Sequence, residues 1–256
     1  MTTDGNGTTQ FFDVLAPLSK GVQVTDIGPH TKELSNIVLG RAMLFIPQAV
    51  SLVEQVPMLI YYHGFHNDHG PITIEGYIAK KPERDFRPLL RDKKVVLVEP
   101  EGGLFSNFRG LSDAEGTSTL IWRAMQLAFD GPPARKRPKP IPKPTGIIFA
   151  GFSGGGATMK DVALDKSADY ASLIKEVWCF DCMYSNEGSD WVAWAKETKK
   201  PLRVRCSDEE STGKPRAQAE KVRAGKKAAN LDNIDIADTV KSTHEGLPGT
   251  FIPQWL

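Results

Sequence analysis

The sequence is poor in the features that mark several large classes of protein, and each shortage excludes something. It has only three cysteines, Cys179, Cys182 and Cys206, an odd number in a 256-residue chain. A disulfide scaffold is thereby excluded, because such scaffolds are small and densely paired. Cys179-Phe180-Asp181-Cys182 is formally C-x-x-C, but no second pair completes a zinc site, so buried reduced thiols are expected. No apolar run is long enough to cross a bilayer. The first ten residues, Met1 to Gln10, lack a basic stretch followed by an apolar one, so no signal peptide is visible and the cytoplasm is the default compartment. A processed form would leave secretion open. The formal net charge of +1 supplies no whole-molecule field for nucleic acid or an anionic membrane. Neither nucleic acid binding nor membrane insertion is expected.

An apolar content of 40% can bury one sizeable core, so residues 1–256 are expected to form a single α/β domain. Apolar runs of strand length alternate with helix-like segments, the pattern of a mainly parallel sheet covered on both faces. Strands are predicted over Asn36–Ile46, Pro57–Tyr62, Lys94–Val98, Gly146–Ala150, Glu176–Phe180, Leu202–Cys206 and Ile234–Val240. Helical spacing predicts Ser118–Phe129, Gly155–Leu164, Ser189–Glu197 and Pro215–Ala229. A sheet of about eight strands follows. Residues 1–10 are expected to be flexible, and the basic, proline-rich segment 131–144 reads as a solvated surface connection.

The chemistry centres on Gly151-Phe152-Ser153-Gly154-Gly155, which follows the apolar run Gly146–Ala150 and opens into a helical segment. A serine at a strand-to-helix turn has its hydroxyl forced out above the sheet, and the crowding there demands small flanking residues. A nucleophilic serine needs a histidine base and an orienting acid, in the chain order serine, acid, histidine. Of the five histidines only His244 follows Ser153, and it lies just beyond the last predicted strand. Asp181 and Asp208 are rival acids. Asp181 leaves an apolar strand directly and should be held rigidly, whereas Asp208, with Glu209 and Glu210, looks like a solvated helix-cap region. Asp181 is favoured. The oxyanion needs two backbone donors: one expected from Gly154, the other from Phe65 in the His63-Gly64-Phe65 turn that leaves a buried strand. Gly64 and Tyr184 are assigned to substrate contact. His63, His66, Asp68 and His69 crowd into one loop, but their spacing does not match a helical zinc motif. No metal or other cofactor is expected, and His63 is expected to brace the oxyanion loop.

A strand followed by His-Gly, a Gly-x-Ser-x-Gly turn, a late acid and a terminal histidine loop resemble the α/β-hydrolase superfamily from about Leu34 to the C-terminus. More narrowly, the chain is similar to bacterial α/β-hydrolases carrying Ser153-Gly154-Gly155, Asp181-Cys182-Met183-Tyr184, Trp194-Ala195 and His244 with Pro248. That resemblance implies the α/β-hydrolase fold, assigns the acid role to Asp181 and implies ester hydrolysis through an acyl-enzyme. Only Cys182–Gly188 separates Asp181 from the next helix, so no large lid domain is expected. The cleft should be open and suit a small-molecule ester with a small or medium acyl group. Glu101–Phe105 and the loop to Gly116 are the longest material available to wall it. Trp191 and Trp194 are expected to pack on the sheet rather than line a rim. An amidase or peptidase using the same residues, and a non-catalytic binding protein on the same fold, are the alternatives.

Overall fold

Continuous apolar runs become strands buried on both faces, because parallel strands are covered by helices above and below. In a computed structural model, these runs form β5 (Met58–Tyr62), β6 (Val96–Pro100), β7 (Ile147–Phe152), β8 (Ile174–Phe180), β9 (Leu202–Arg205) and β10 (Ile234–Ile236). The structure describes residues 1–17, 32–34, 37–50, 55–65, 73–80, 82–102, 106, 108–130, 143–209, 213–237 and 240–256. The six strands pair in parallel in the order β6-β5-β7-β8-β9-β10. The chain thus leaves β5 for β6 on one side and later returns to β7 on the other. This reversal opens a crevice beyond the carboxyl ends of β5 and β7, where open α/β sheets bind ligands.

The other edge is antiparallel. β4 (Ile37–Pro47) pairs with β6, β2 (Gly7–Pro17) runs along the whole of β4, β1 (Thr2–Asp4) closes the edge, and β3 (Lys32–Leu34) also pairs with β4. Among the described residues the sheet therefore has ten strands, where about eight were expected. Residues 1–10 contribute β1 and the start of β2. The physical reason is legible in Asp4-Gly5-Asn6-Gly7. The Asp4 carboxylate accepts the Asn6 and Gly7 amides at 2.7 and 3.3 Å, closing a hairpin turn that joins the strands. The strand expected over Ile234–Val240 ends at Ile236, and Val240 meets Ser207 in a single parallel bridge.

Helices cover both faces. On one side α3 (Ala114–Asp130), α4 (Gly155–Leu164), α5 (Gly188–Thr198) and α6 (Gly213–Ala229) share one core with the alternate residues Met58, Ile60 and Tyr62 of β5. On the other, α1 (Ile74–Lys80), α2 (Arg87–Leu90) and α7 (Gly246–Trp255) cover Leu59 and Tyr61. The four predicted helices match α3, α4, α5 and α6 within a few residues, whereas α1, α2 and α7 lacked a readable period. α7 even contains Pro253. Trp191 and Trp194 pack edge-to-face inside the core, 6.0 Å apart, as expected. No helix among the described residues is long and apolar enough to cross a membrane.

Candidate active site

The turn after β7 lies at the sheet's carboxyl edge. Ser153 holds φ +49°, a left-handed conformation that costs a non-glycine residue about 1–2 kcal/mol. Its carbonyl accepts the Gly156 amide at 3.1 Å, so the strand passes straight into α4. The glycines that follow are required by close approach. A Cβ on Gly155 would lie 2.3 Å from the Tyr62 carbonyl oxygen and 2.5 Å from that of His63. The start of α4 is therefore pressed against the end of β5. Gly64 fits the same junction, since a Cβ there would meet the Ser153 Cβ at 2.7 Å.

Asp181 occupies the equivalent place on the neighbouring strand, directly after β8, and also has positive φ, +45°. It is 1% exposed. A carboxylate buried this deeply must have its oxygens satisfied, and they are. The Ser207 amide approaches the two oxygens at 3.1 and 3.2 Å, and the Ser207 hydroxyl donates at 2.6 Å. His244 Nδ1 lies 3.0 Å from Asp181 Oδ2. With the hydrogen on Nδ1, that nitrogen donates to the carboxylate and Nε2 keeps its lone pair. The imidazole also packs on the Phe152 ring, centroids 4.6 Å apart, which keeps it over the residue preceding Ser153. Asp208, the rival acid, is exposed.

The loop after β5 is held from behind by His63. Its Nε2 accepts the Gly102 amide at 3.0 Å and its Nδ1 lies 2.9 Å from the Gly64 carbonyl, an arrangement that suits a neutral ring with hydrogen on Nδ1. The ring stacks on Tyr77 at 4.2 Å, Arg84 sits over the other aromatic at 4.4 Å, and Arg84 pairs with Glu245 at 3.4 Å. One chain of contacts thus runs from the loop carrying Gly64 to the loop carrying His244. Glu101 adds a further tie by accepting the Ile74 amide at 3.0 Å.

Phe65 and Tyr184, 39% and 40% exposed, stand at the surface near the serine, and the Tyr184 hydroxyl lies 3.5 Å from Ser153 Oγ. Partial burial raises the Tyr184 pKa above that of a free phenol, so this hydroxyl remains protonated through neutral pH. The Phe65 amide lies beside Gly154, 3.5 Å from where a Cβ on that glycine would project. Only Cys182–Glu187 lies between Asp181 and α5. All three cysteines are free and buried, and burial pushes the Cys182 and Cys206 thiols up. His66, Asp68, His69, Gly103–Phe105, Glu210 and residues 131–142 lie outside the described residues. Sequence reasoning missed Ser207, although it is the immediate neighbour of the acidic cluster that drew attention to Asp208. It also missed the Tyr77 and Arg84 stack, for which no local signal exists.

A mixed sheet with this crossover, a strained serine turn after one strand and an acid–histidine pair after the next define the α/β-hydrolase fold. Solved structures bear out the fold. A ferulic acid esterase superposes with a TM-score of 0.59 at 11% identity, over 98% of this chain and 97% of that one. An S-formylglutathione hydrolase of Agrobacterium tumefaciens gives 0.55 at 12% identity, over 99% and 96%. An acylaminoacyl peptidase of Pyrococcus horikoshii gives 0.57 at 15% identity over 97% of this chain, which spans only 39% of that protein. No protein-family model and no curated protein sequence matches the chain.

Proposed function

We propose that the protein is a serine hydrolase that cleaves carboxylic esters of small or medium acyl groups. The observation that carries this reading is the pairing of Ser153 at positive φ after β7 with the 3.0 Å His244–Asp181 contact after β8. In the first step Ser153 Oγ bonds to the ester carbonyl carbon while its proton passes to His244 Nε2. The Phe65 and Gly154 amides receive the charge that develops on the carbonyl oxygen. The carbon–oxygen bond to the alcohol then breaks, and His244 gives the proton to the departing alkoxide. Water repeats the sequence on the acyl-serine, releasing the carboxylic acid and restoring Ser153. Asp181, held by Ser207, keeps His244 in the tautomer the first step needs.

Esters are favoured over amides because the esterase and the formylglutathione hydrolase match over nearly their whole length, while the peptidase carries more than half its chain elsewhere. Six residues, Cys182–Glu187, connect Asp181 to α5, which fits an uncovered cleft rather than a long-chain lipase site. A nitrophenyl ester series of increasing acyl length tests the reading on the wild type, Asp181→Asn and Asp208→Asn. Short and medium esters should turn over faster than long ones and than matched anilides. Asp181→Asn should lower kcat by about 10⁴-fold, and Asp208→Asn should leave it unchanged. The reverse ranking of the two variants would reassign the acid.

A further inference from the structure

Ser106 belongs to no motif and lies in the loop between β6 and α3, yet it carries two separate costs. Its φ is +54°, the left-handed region that non-glycine residues avoid. It is also 3% exposed, and its hydroxyl has no hydrogen-bond partner among the described residues. Buried hydroxyls in folded proteins are nearly always paired, and those left open call for an explanation. Strain and an unmet polar group together mark a position whose fold is maintained for a ligand.

Its location identifies the ligand atom. A Cβ on Gly154 would lie 3.1 Å from Ser106 Oγ and 3.5 Å from the Phe65 amide nitrogen. The hydroxyl and both amides proposed as oxyanion donors therefore meet around one point beside the Ser153 turn. Gly154 has no side chain, and a Cβ there would sit tightly against Ser106. Resting on the ester-hydrolase reading above, we infer that Ser106 is a third oxyanion donor. Its hydroxyl hydrogen, without a partner among the described residues, bonds the carbonyl oxygen as that oxygen becomes negative. The hydroxyl transfers no proton. It completes a set of three donors, two of them backbone and rigid and one a side chain fixed by burial. Because an alkoxide accepts a hydrogen bond far more strongly than an ester carbonyl, the contribution falls on the transition state.

The test is Ser106→Ala, with Ser106→Gly as a second variant that removes the hydroxyl and relieves the left-handed strain. On a nitrophenyl ester both should lower kcat by about 100-fold with KM little changed. Neither should lower the melting temperature, because the hydroxyl makes no hydrogen bond among the described residues. The rate at which a fluorophosphonate labels Ser153 should fall in parallel, since its phosphoryl oxygen occupies the same donors. A kcat within twofold of wild type in a folded Ser106→Ala protein overturns the inference and leaves the ester-hydrolase reading standing. So does a fall in kcat that appears only with a lower melting temperature in both variants. A wild type that neither hydrolyses esters nor is labelled at Ser153 overturns both.

Discussion

Ser153, Asp181 and Ser106 are non-glycine residues at positive φ, and all three lie at the carboxyl edge of the sheet. Each stores strain of about 1–3 kcal/mol that surrounding structure must offset. The positions of Ser153 and His244 were readable from the sequence, because turn chemistry and chain order restrict where residues with the roles proposed for them can stand. Asp181 was readable because it leaves an apolar strand. Ser207 was not, since a serine acting through its own amide and hydroxyl on one carboxylate leaves no spacing pattern. Another buried group gives a pH prediction. Glu99 is fully buried with neither carboxylate oxygen bonded among the described residues. Burial first, and Asp85 second, push its pKa well above 4.5, while Arg87 and Arg84 oppose the rise. The folded state therefore holds a proton that the unfolded chain releases. The stability this proton contributes is complete below the unfolded pKa and declines as pH rises above it, by about 1.4 kcal/mol per unit while the difference lasts. Glu99→Gln removes that dependence. Its melting temperature relative to wild type should climb between pH 5 and pH 8, and a constant difference would contradict the assignment.

At the scale of elements, α4 is placed by backbone contacts that leave no room for adjustment. The Cβ of Gly155→Ala would press on the carbonyls of Tyr62 and His63, which cannot rotate away as a side chain would. The variant should lose about 2 kcal/mol or more in urea unfolding. Its kcat should fall as well, because those carbonyls belong to the segment that leads into Gly64 and Phe65. At the opposite end, α7 closes the second core layer through Trp255. That ring stacks on Phe180 at 5.2 Å and meets Trp178 edge-on at 5.3 Å, with the Arg203 and Arg205 guanidinium groups over it. Trp255→Ala should cost about 3 kcal/mol. The strong periods of α3, α4, α5 and α6 made them legible. The short α1 and α2 and the proline-containing α7 were not, because they form through tertiary packing rather than through a face of their own.

For the molecule as a whole, the parallel half of the sheet was legible and the antiparallel half less so. Fully buried strands announce themselves as unbroken apolar runs, whereas the edge strands alternate and begin among polar residues such as Thr2 and Thr3. Their turn residues, Asp4 to Gly7, carried the missing signal. The near-zero net charge also has a kinetic consequence. With a formal charge of +1 there is no long-range field to steer a neutral ester, so kcat/KM should change less than about twofold between low and high salt. A steep salt dependence would instead indicate a charged substrate. The central claim is that Ser153 is the nucleophile, and covalent labelling with a fluorophosphonate followed by peptide mass spectrometry tests it most directly. One adduct is predicted, on the peptide containing Ser153, absent from Ser153→Ala and formed far more slowly in His244→Ala. An adduct on another residue, or labelling undiminished in Ser153→Ala, would contradict the account.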